Sequence, residues 1–131
     1  MKLLSFSFLF TMLFSCQNNA LEVESLTPLE GEGMVRNDFG VIIDLREKGE
    51  LASGLAKPAK WFAMSKIVGG DSQWESFISD HPKDKTLIFY CAKGGRAQKI
   101  AEKYSKMGYK TANMGGFNDW VNGKLPVKPA P

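Results

Sequence analysis

A short apolar stretch that ends on a cysteine and is followed by two adjacent glycines is the feature that most constrains the fold of this chain. Residues 87–90 read Leu-Ile-Phe-Tyr, a run apolar enough for a strand that is buried on both faces of a sheet. Gly94 and Gly95 can adopt positive φ, so the backbone after Cys91 can curl around the sulfur and direct several amide N–H groups towards it. Helical spacing of apolar residues over residues 96–107 predicts a helix whose N-terminus faces this cysteine.

The position of Cys91 favours a reactive thiol. Oriented amides, a helix N-terminus and the cations of Lys93 and Arg96 all stabilise a thiolate, which is the nucleophilic form of cysteine. The alternative is an ordinary buried cysteine that packs as a small hydrophobic residue. The glycine pair and Arg96 argue against that alternative, because a packed core position does not require an anion-binding loop.

The rest of the chain alternates predicted strands and helices. A helical turn is predicted at residues 47–53, and Asp71 or Ser72 can cap a helix that runs through Trp74. This alternation predicts an α/β fold with a mostly parallel central sheet and helices on both faces. The cysteine loop then lies at the carboxyl end of a strand, where such sheets bind ligands. The other predicted strands are residues 34–36, 41–44, 61–64 and 110–113.

Three ordered motifs resemble the rhodanese family of sulfurtransferases. The active loop of many single-domain members reads Cys-x-x-Gly-x-Arg, and Cys91, Gly94 and Arg96 match it. Residues 41–47, Val-Ile-Ile-Asp-Leu-Arg-Glu, are similar to the strand and Asp-Val-Arg-Glu segment that opens the family's core. Further along, the chain is similar to the family's closing Gly-Gly-x-x-x-Trp and Gly-x-Pro-Val pattern, at residues 114–120 and 123–127.

The resemblance implies a rhodanese-like three-layer domain over residues 31–127, with Cys91 as the catalytic nucleophile. It also implies that Asp44 and Arg46 lie near the active loop and support it through hydrogen bonds and an ion pair. One segment departs from the family: Gly-His-Ile-x-Gly-Ala is replaced at residues 54–59 by Gly-Leu-Ala-Lys-Pro-Ala, which lacks the histidine. The residues expected to bind the substrate and the persulfide are Ala92, Lys93, Gly94, Gly95 and Arg96.

The reaction implied by the resemblance moves sulfane sulfur from an anionic donor, with thiosulfate favoured, through a Cys91 persulfide to a thiophilic acceptor such as cyanide or a thiol. A first alternative is a persulfide carrier or sulfide-binding module that serves a protein partner. A less favoured alternative is a phosphatase or arsenate reductase. Enzymes resembling protein tyrosine phosphatases place five residues between cysteine and arginine, whereas four separate Cys91 from Arg96 here, a tighter loop that suits sulfur better than phosphate.

The N-terminus predicts export. Met1 and Lys2 precede a short apolar run that is typical of a signal peptide, over residues 1–15. The run closes on Leu-Phe-Ser-Cys, which resembles a bacterial lipobox and predicts lipidation of Cys16 and anchorage to a membrane in the cell envelope or periplasm. The alternative is an ordinary signal peptide cleaved nearby. Residues 16–30 are predicted to form a tether, and residues 128–131 a C-terminal tail.

Composition narrows the remaining function classes. The formal charge is only +3, and the lysines are scattered among carboxylates without a basic stripe, so nucleic-acid binding is not expected. One histidine and two distant cysteines do not match the spacing of a metal site, and neither a metal nor another cofactor is expected. His81 precedes a proline in a polar turn and is interpreted as a solvated loop residue.

Overall fold

A five-stranded sheet, parallel throughout, forms the centre of the protein in the computed structural model, which describes residues 21–131. A single 3₁₀ turn in the described chain covers Lys48–Glu50. The strands are β1 (Val23–Ser25), β2 (Gly40–Asp44), β3 (Leu55–Ala56), β4 (Lys60–Trp61), β5 (Thr86–Cys91), β6 (Thr111–Gly116) and β7 (Val127–Lys128). The helices are α1 (Pro28–Arg36), α2 (Met64–Val68), α3 (Ser72–Asp80), α4 (Gly95–Lys106) and α5 (Phe117–Asn122).

The sheet has the order β1-β6-β5-β2-β4, which places β5 in its middle. Both faces of this strand are covered, since all six of its residues are buried. Leu87, Phe89 and Cys91 belong to the core under α2, α3 and α4, whereas Ile88 and Tyr90 belong to the core under α1 and α5. This alternation follows from the two-residue period of a strand. The α/β fold predicted from the sequence, with helices on both faces of a parallel sheet, is confirmed.

The predicted strand at residues 34–36 is wrong, because these residues form the last turn of α1. The residues that begin this helix determine the local structure more strongly than the short apolar run does. The Thr27 hydroxyl accepts a hydrogen bond from the Glu30 amide (3.3 Å), the Glu30 carboxylate accepts one from the Thr27 amide (2.7 Å), and Pro28 occupies the first turn. The predicted strand at residues 61–64 is also shifted: β4 ends at Trp61, and Met64 begins α2.

The predicted borders of the domain need correction at both ends. Residues 16–30 were expected to be a tether, but Val23–Ser25 pair with β6 and Pro28 begins α1, because both segments have partners in the sheet or its core. Lys128, expected to be in the tail, pairs with Leu55 in a small antiparallel sheet. The predicted signal peptide and the predicted lipidation site Cys16 lie outside the described residues. Within residues 21–131, no helix has the length and apolar character needed to cross a membrane.

Candidate active site

Cys91 is the last residue of β5, and a loop of three residues connects it to α4, which begins at Gly95. Its sulfur accepts a hydrogen bond from the Gly94 amide, with a distance of 3.0 Å between nitrogen and Sγ. Gly94 is the N-cap of α4 and has a φ of 96°, a left-handed conformation that favours glycine. The thiol is nearly buried, with an exposed fraction of 1%. The predicted strand, tight loop and helix are therefore present, with the sulfur facing a helix N-terminus.

The cysteine loop rests on the end of the neighbouring strand β6. A Cβ atom at Gly116 would overlap the Ala92 carbonyl oxygen, so only glycine permits this close approach. The Asn113 side chain donates a hydrogen bond to the Gly94 carbonyl oxygen (3.1 Å) and accepts one from the Gly115 amide (2.9 Å). These contacts give a physical reason for the Gly-Gly motif, because it provides the surface on which the loop folds.

Two cations belong to the loop, but they differ in their surroundings. Lys93 is exposed to solvent. Arg96 forms a bidentate ion pair with Glu50, with Nη1–Oε2 and Nη2–Oε1 distances of 2.6 and 2.7 Å. This loop pair, Glu50 and Arg96, holds the pKa of the Glu50 carboxyl at about 2, chiefly through the Arg96 hydrogen bonds. The same hydrogen bonds raise the pKa of Arg96, and the charge of the nearby Cys91 sulfur contributes to that rise.

Asp44 and Arg46 form a second ion pair, which we call the buried pair because their exposed fractions are 0% and 3%. Arg46 donates from Nη2 to Asp44 Oδ2 over 2.6 Å and from Nε to Oδ1 over 3.0 Å. The Tyr90 hydroxyl donates to the same carboxylate over 2.5 Å. Burial, and then the charge of Asp44, raise the pKa of Tyr90. All the polar groups of this cluster are therefore paired in the low-dielectric interior.

The buried pair acts on the site through the 3₁₀ turn. Arg46 donates to the carbonyl oxygens of Glu50 (3.1 Å) and Gly54 (2.7 Å), so it fixes the segment that carries the Glu50 side chain. The guanidinium also lies 4.0 Å from the ring centroid of Phe117. Within the described residues, no hydrogen bond joins Asp44 or Arg46 to Cys91. Their geometry agrees with a supporting position one step removed from the sulfur.

Sequence reasoning missed three residues of the site. Glu50 and Tyr90 each contact a partner 46 positions away in the chain, which no local pattern reveals. Asp119 accepts a hydrogen bond from the Gly116 amide (2.8 Å) and so fixes the end of β6. Of the three, only Asp119 could have been identified from the sequence, because it lies inside the Gly-Gly-x-x-x-Trp motif at residues 115–120.

A cavity of about 390 Å³ lies against the cysteine loop and is lined in part by Lys93, Gly94, Asn113 and Asp119. A larger cavity, of about 880 Å³, lies elsewhere, beside β1 and the amino-terminal ends of β5 and β6. In an open α/β sheet the carboxyl ends of the strands bind ligands. The smaller cavity borders the cysteine loop at this edge, beside Lys93 and Gly94, and its lining does not include Cys91.

Comparison with known proteins gives a consistent result. Residues 27–123 match the family described as rhodanese-like domain. A curated sulfurtransferase from Allochromatium vinosum is 25% identical over 111 residues, which cover 83% of this chain and 94% of that protein. A rhodanese-like domain protein from Staphylococcus aureus is 26% identical with a TM-score of 0.61, over 81% of this chain and 99% of that one. The 30 kDa polysulfide-sulfur transferase homodimer from Wolinella succinogenes is 22% identical with a TM-score of 0.65, over 82% and 80% of the two chains.

Proposed function

Since this chain belongs to the rhodanese-like domain family, we propose that it is a sulfurtransferase in which Cys91 carries the transferred sulfur. One observation supports this assignment above the others. The Cys91 sulfur lies at the carboxyl end of the central strand and accepts the Gly94 amide hydrogen bond at the N-terminus of α4. A curated relative described as a sulfurtransferase, which matches over most of both chains, supports the same class of reaction.

The proposed reaction has two steps. The Cys91 thiolate attacks the outer sulfur of thiosulfate, a new sulfur–sulfur bond forms, and the thiosulfate S–S bond breaks with its electron pair leaving on sulfite. The product is a Cys91 persulfide with a negative terminal sulfur. A thiophile such as cyanide or a thiolate then takes that terminal sulfur, and the Cys91 thiolate is regenerated.

The loop supplies electrostatic stabilisation for both steps. The Gly94 amide and the N-terminus of the twelve-residue helix α4 are fixed dipoles whose positive ends face the sulfur. We propose that the amides from Ala92 to Arg96 stabilise the charge on the persulfide. Lys93, the exposed cation of the loop, attracts the anionic donor.

A persulfide carrier that serves a protein partner is the second candidate. The observation behind it is that residues 21–131 contain one cysteine, Cys91. A thiol that accepts the sulfur therefore comes from outside this part of the chain, from a small molecule or another protein. The two candidates differ in the acceptor, not in the persulfide.

Intact mass spectrometry tests the proposed function. The purified protein is measured alone, after thiosulfate, and then after cyanide, with Cys91→Ser as the control. We expect a gain of one sulfur atom that cyanide removes and that the variant does not show. No gain from thiosulfate in a protein whose Cys91 still reacts with an alkylating reagent would contradict the thiosulfate assignment. Turnover of p-nitrophenyl phosphate would instead favour a phosphatase.

We further propose that the chain is exported and lipid-anchored through Cys16. The support is the lipobox-like sequence before this cysteine. Cell fractionation tests it: the unchanged chain is expected in the membrane fraction, and Cys16→Ser is expected to leave that fraction. Recovery of both forms in the cytosol would contradict export.

A further inference from the structure

The Arg96 guanidinium, which is expected to attract an anionic sulfur donor, is already occupied by an anion of this chain. Both oxygens of the Glu50 carboxylate accept hydrogen bonds from Arg96, over 2.6 and 2.7 Å. The two side chains are only about one-third exposed, at 35% for Glu50 and 30% for Arg96. A bidentate arrangement of this kind is the strongest geometry that arginine and carboxylate can form.

The Glu50 carboxylate is also held in place from its own side. Its Oε2 atom accepts a hydrogen bond from the Glu47 amide (2.7 Å). The Glu50 carbonyl oxygen accepts a hydrogen bond from the guanidinium of Arg46, which is itself fixed by Asp44. A freely rotating surface ion pair lacks such support. Glu50 is thus built into the site, since its side chain and its backbone are both fixed.

We propose that Glu50 is a positioning residue that tunes donor specificity through Arg96, because it competes as an internal anion with the donor. This inference rests on the proposed function, of which it specifies the substrate class. With Glu50 present, the loop pair has a net charge close to zero, and Lys93 is left as the exposed loop cation. The site therefore discriminates against doubly charged donors, relative to singly charged ones, more strongly than an unpaired Arg96 would.

Two alkylating reagents measure this effect without depending on sulfur transfer. Iodoacetate and iodoacetamide react with a thiolate in the same way, forming a sulfur–carbon bond and releasing iodide, but iodoacetate carries one negative charge more. The ratio of their rates at Cys91 in the purified full chain therefore reports the electrostatic potential at the sulfur. A change in loop flexibility or access alters both rates together and leaves their ratio unchanged.

The variant Glu50→Gln removes the charge and keeps the shape. We expect the ratio of the iodoacetate rate to the iodoacetamide rate to rise about threefold or more at low salt, and the rise to shrink at high salt. Glu47→Gln is the matched control, because it removes the same charge from a neighbouring carboxylate that contacts Ser65 instead of Arg96. Glu50→Asp retains the charge and is expected to stay within about twofold of the unchanged chain.

Donor kinetics provide the second measurement. Thiosulfate carries two negative charges, whereas methanethiosulfonate carries one and transfers the same outer sulfur with methanesulfinate as leaving group. In Glu50→Gln we expect KM to fall about threefold or more for thiosulfate and clearly less for methanethiosulfonate, with similar kcat for each donor.

The outcomes separate this inference from the proposed function. Equal changes for the two reagents, or the same rise in Glu47→Gln, would overturn the role of Glu50. A Cys91 that reacts with neither reagent in any variant would overturn it too, because the proposal requires an open path to the sulfur. Absence of a persulfide from either donor in the unchanged chain, together with the expected alkylation ratios, would contradict sulfur transfer and leave Glu50 as the residue that sets the charge at Cys91.

Discussion

The buried pair and the loop pair are both arginine–carboxylate contacts with a shortest distance of 2.6 Å, yet their surroundings differ. Asp44 and Arg46 are almost completely excluded from water and have additional partners in Tyr90 and two backbone carbonyls. Glu50 and Arg96 lie at the rim, beside the sulfur, and are partly hydrated. Since the two contact distances are equal, we expect burial rather than distance to decide how much each ion pair contributes to stability.

The largest expected effect comes from breaking the buried pair. Asp44→Ala leaves the buried Arg46 guanidinium without its counter-ion, and we expect the free energy of unfolding to fall by about 3 to 5 kcal/mol. Urea denaturation followed by fluorescence measures it. Asp38→Asn is the surface control, since Asp38 pairs with Lys85 at the surface and asparagine tolerates the left-handed backbone at this position (φ 61°); it is expected to lower the free energy of unfolding by less than about 1 kcal/mol. Equal losses in the two variants would refute the distinction between buried and exposed pairs.

A smaller effect is expected from Tyr90→Phe. This variant removes the hydroxyl that donates to Asp44 and accepts from the Ala56 amide (3.1 Å), so we expect a loss of about 1.5 to 3 kcal/mol in unfolding free energy. Tyr109→Phe loses a hydroxyl that donates to an uncharged carbonyl oxygen, that of Ile78, and should cost about 1 kcal/mol. The difference between the two variants reports the charged acceptor together with the Ala56 amide that loses its partner, and a larger loss in Tyr109→Phe would argue against it.

The smallest effect concerns the loop pair in acid. The pKa of Glu50 is lowered from 4.5 to about 2 in the folded protein. Its contribution to stability is therefore present above pH 4.5 and is lost as the pH falls towards 2. Because the pair is about one-third exposed, we expect the free energy of unfolding of the unchanged chain to be higher than that of Glu50→Gln by less than about 1 kcal/mol at neutral pH. The two chains should converge near pH 2; a difference that grows in acid would contradict this assignment.

The sequence predicts those parts of the fold whose signals are local. The β5 strand, the glycine loop and α4 follow from one continuous stretch, and the N-cap of α3 is Asp71, one of the two residues predicted to cap it. The α1 helix is not predicted: residues 16–30 are interpreted as a tether and residues 34–36 as a strand, although Thr27 and Pro28 signal a helix start. The pairing of Glu50 with Arg96 depends on how β2 and β5 align in the sheet, and no local sequence pattern predicts that alignment.

The strands at both ends of the described chain pair with segments that are far away in the sequence, which affects the order in which the protein folds. β1 pairs with β6, β7 pairs with β3, and the cysteine loop rests on Gly116. On a ribosome, β5 and Cys91 emerge before the segments that seat this loop exist outside the exit tunnel. Such long-range pairings form late. The loop around Cys91 therefore reaches its final shape only after Gly116 has left the tunnel and β6 has paired with β5.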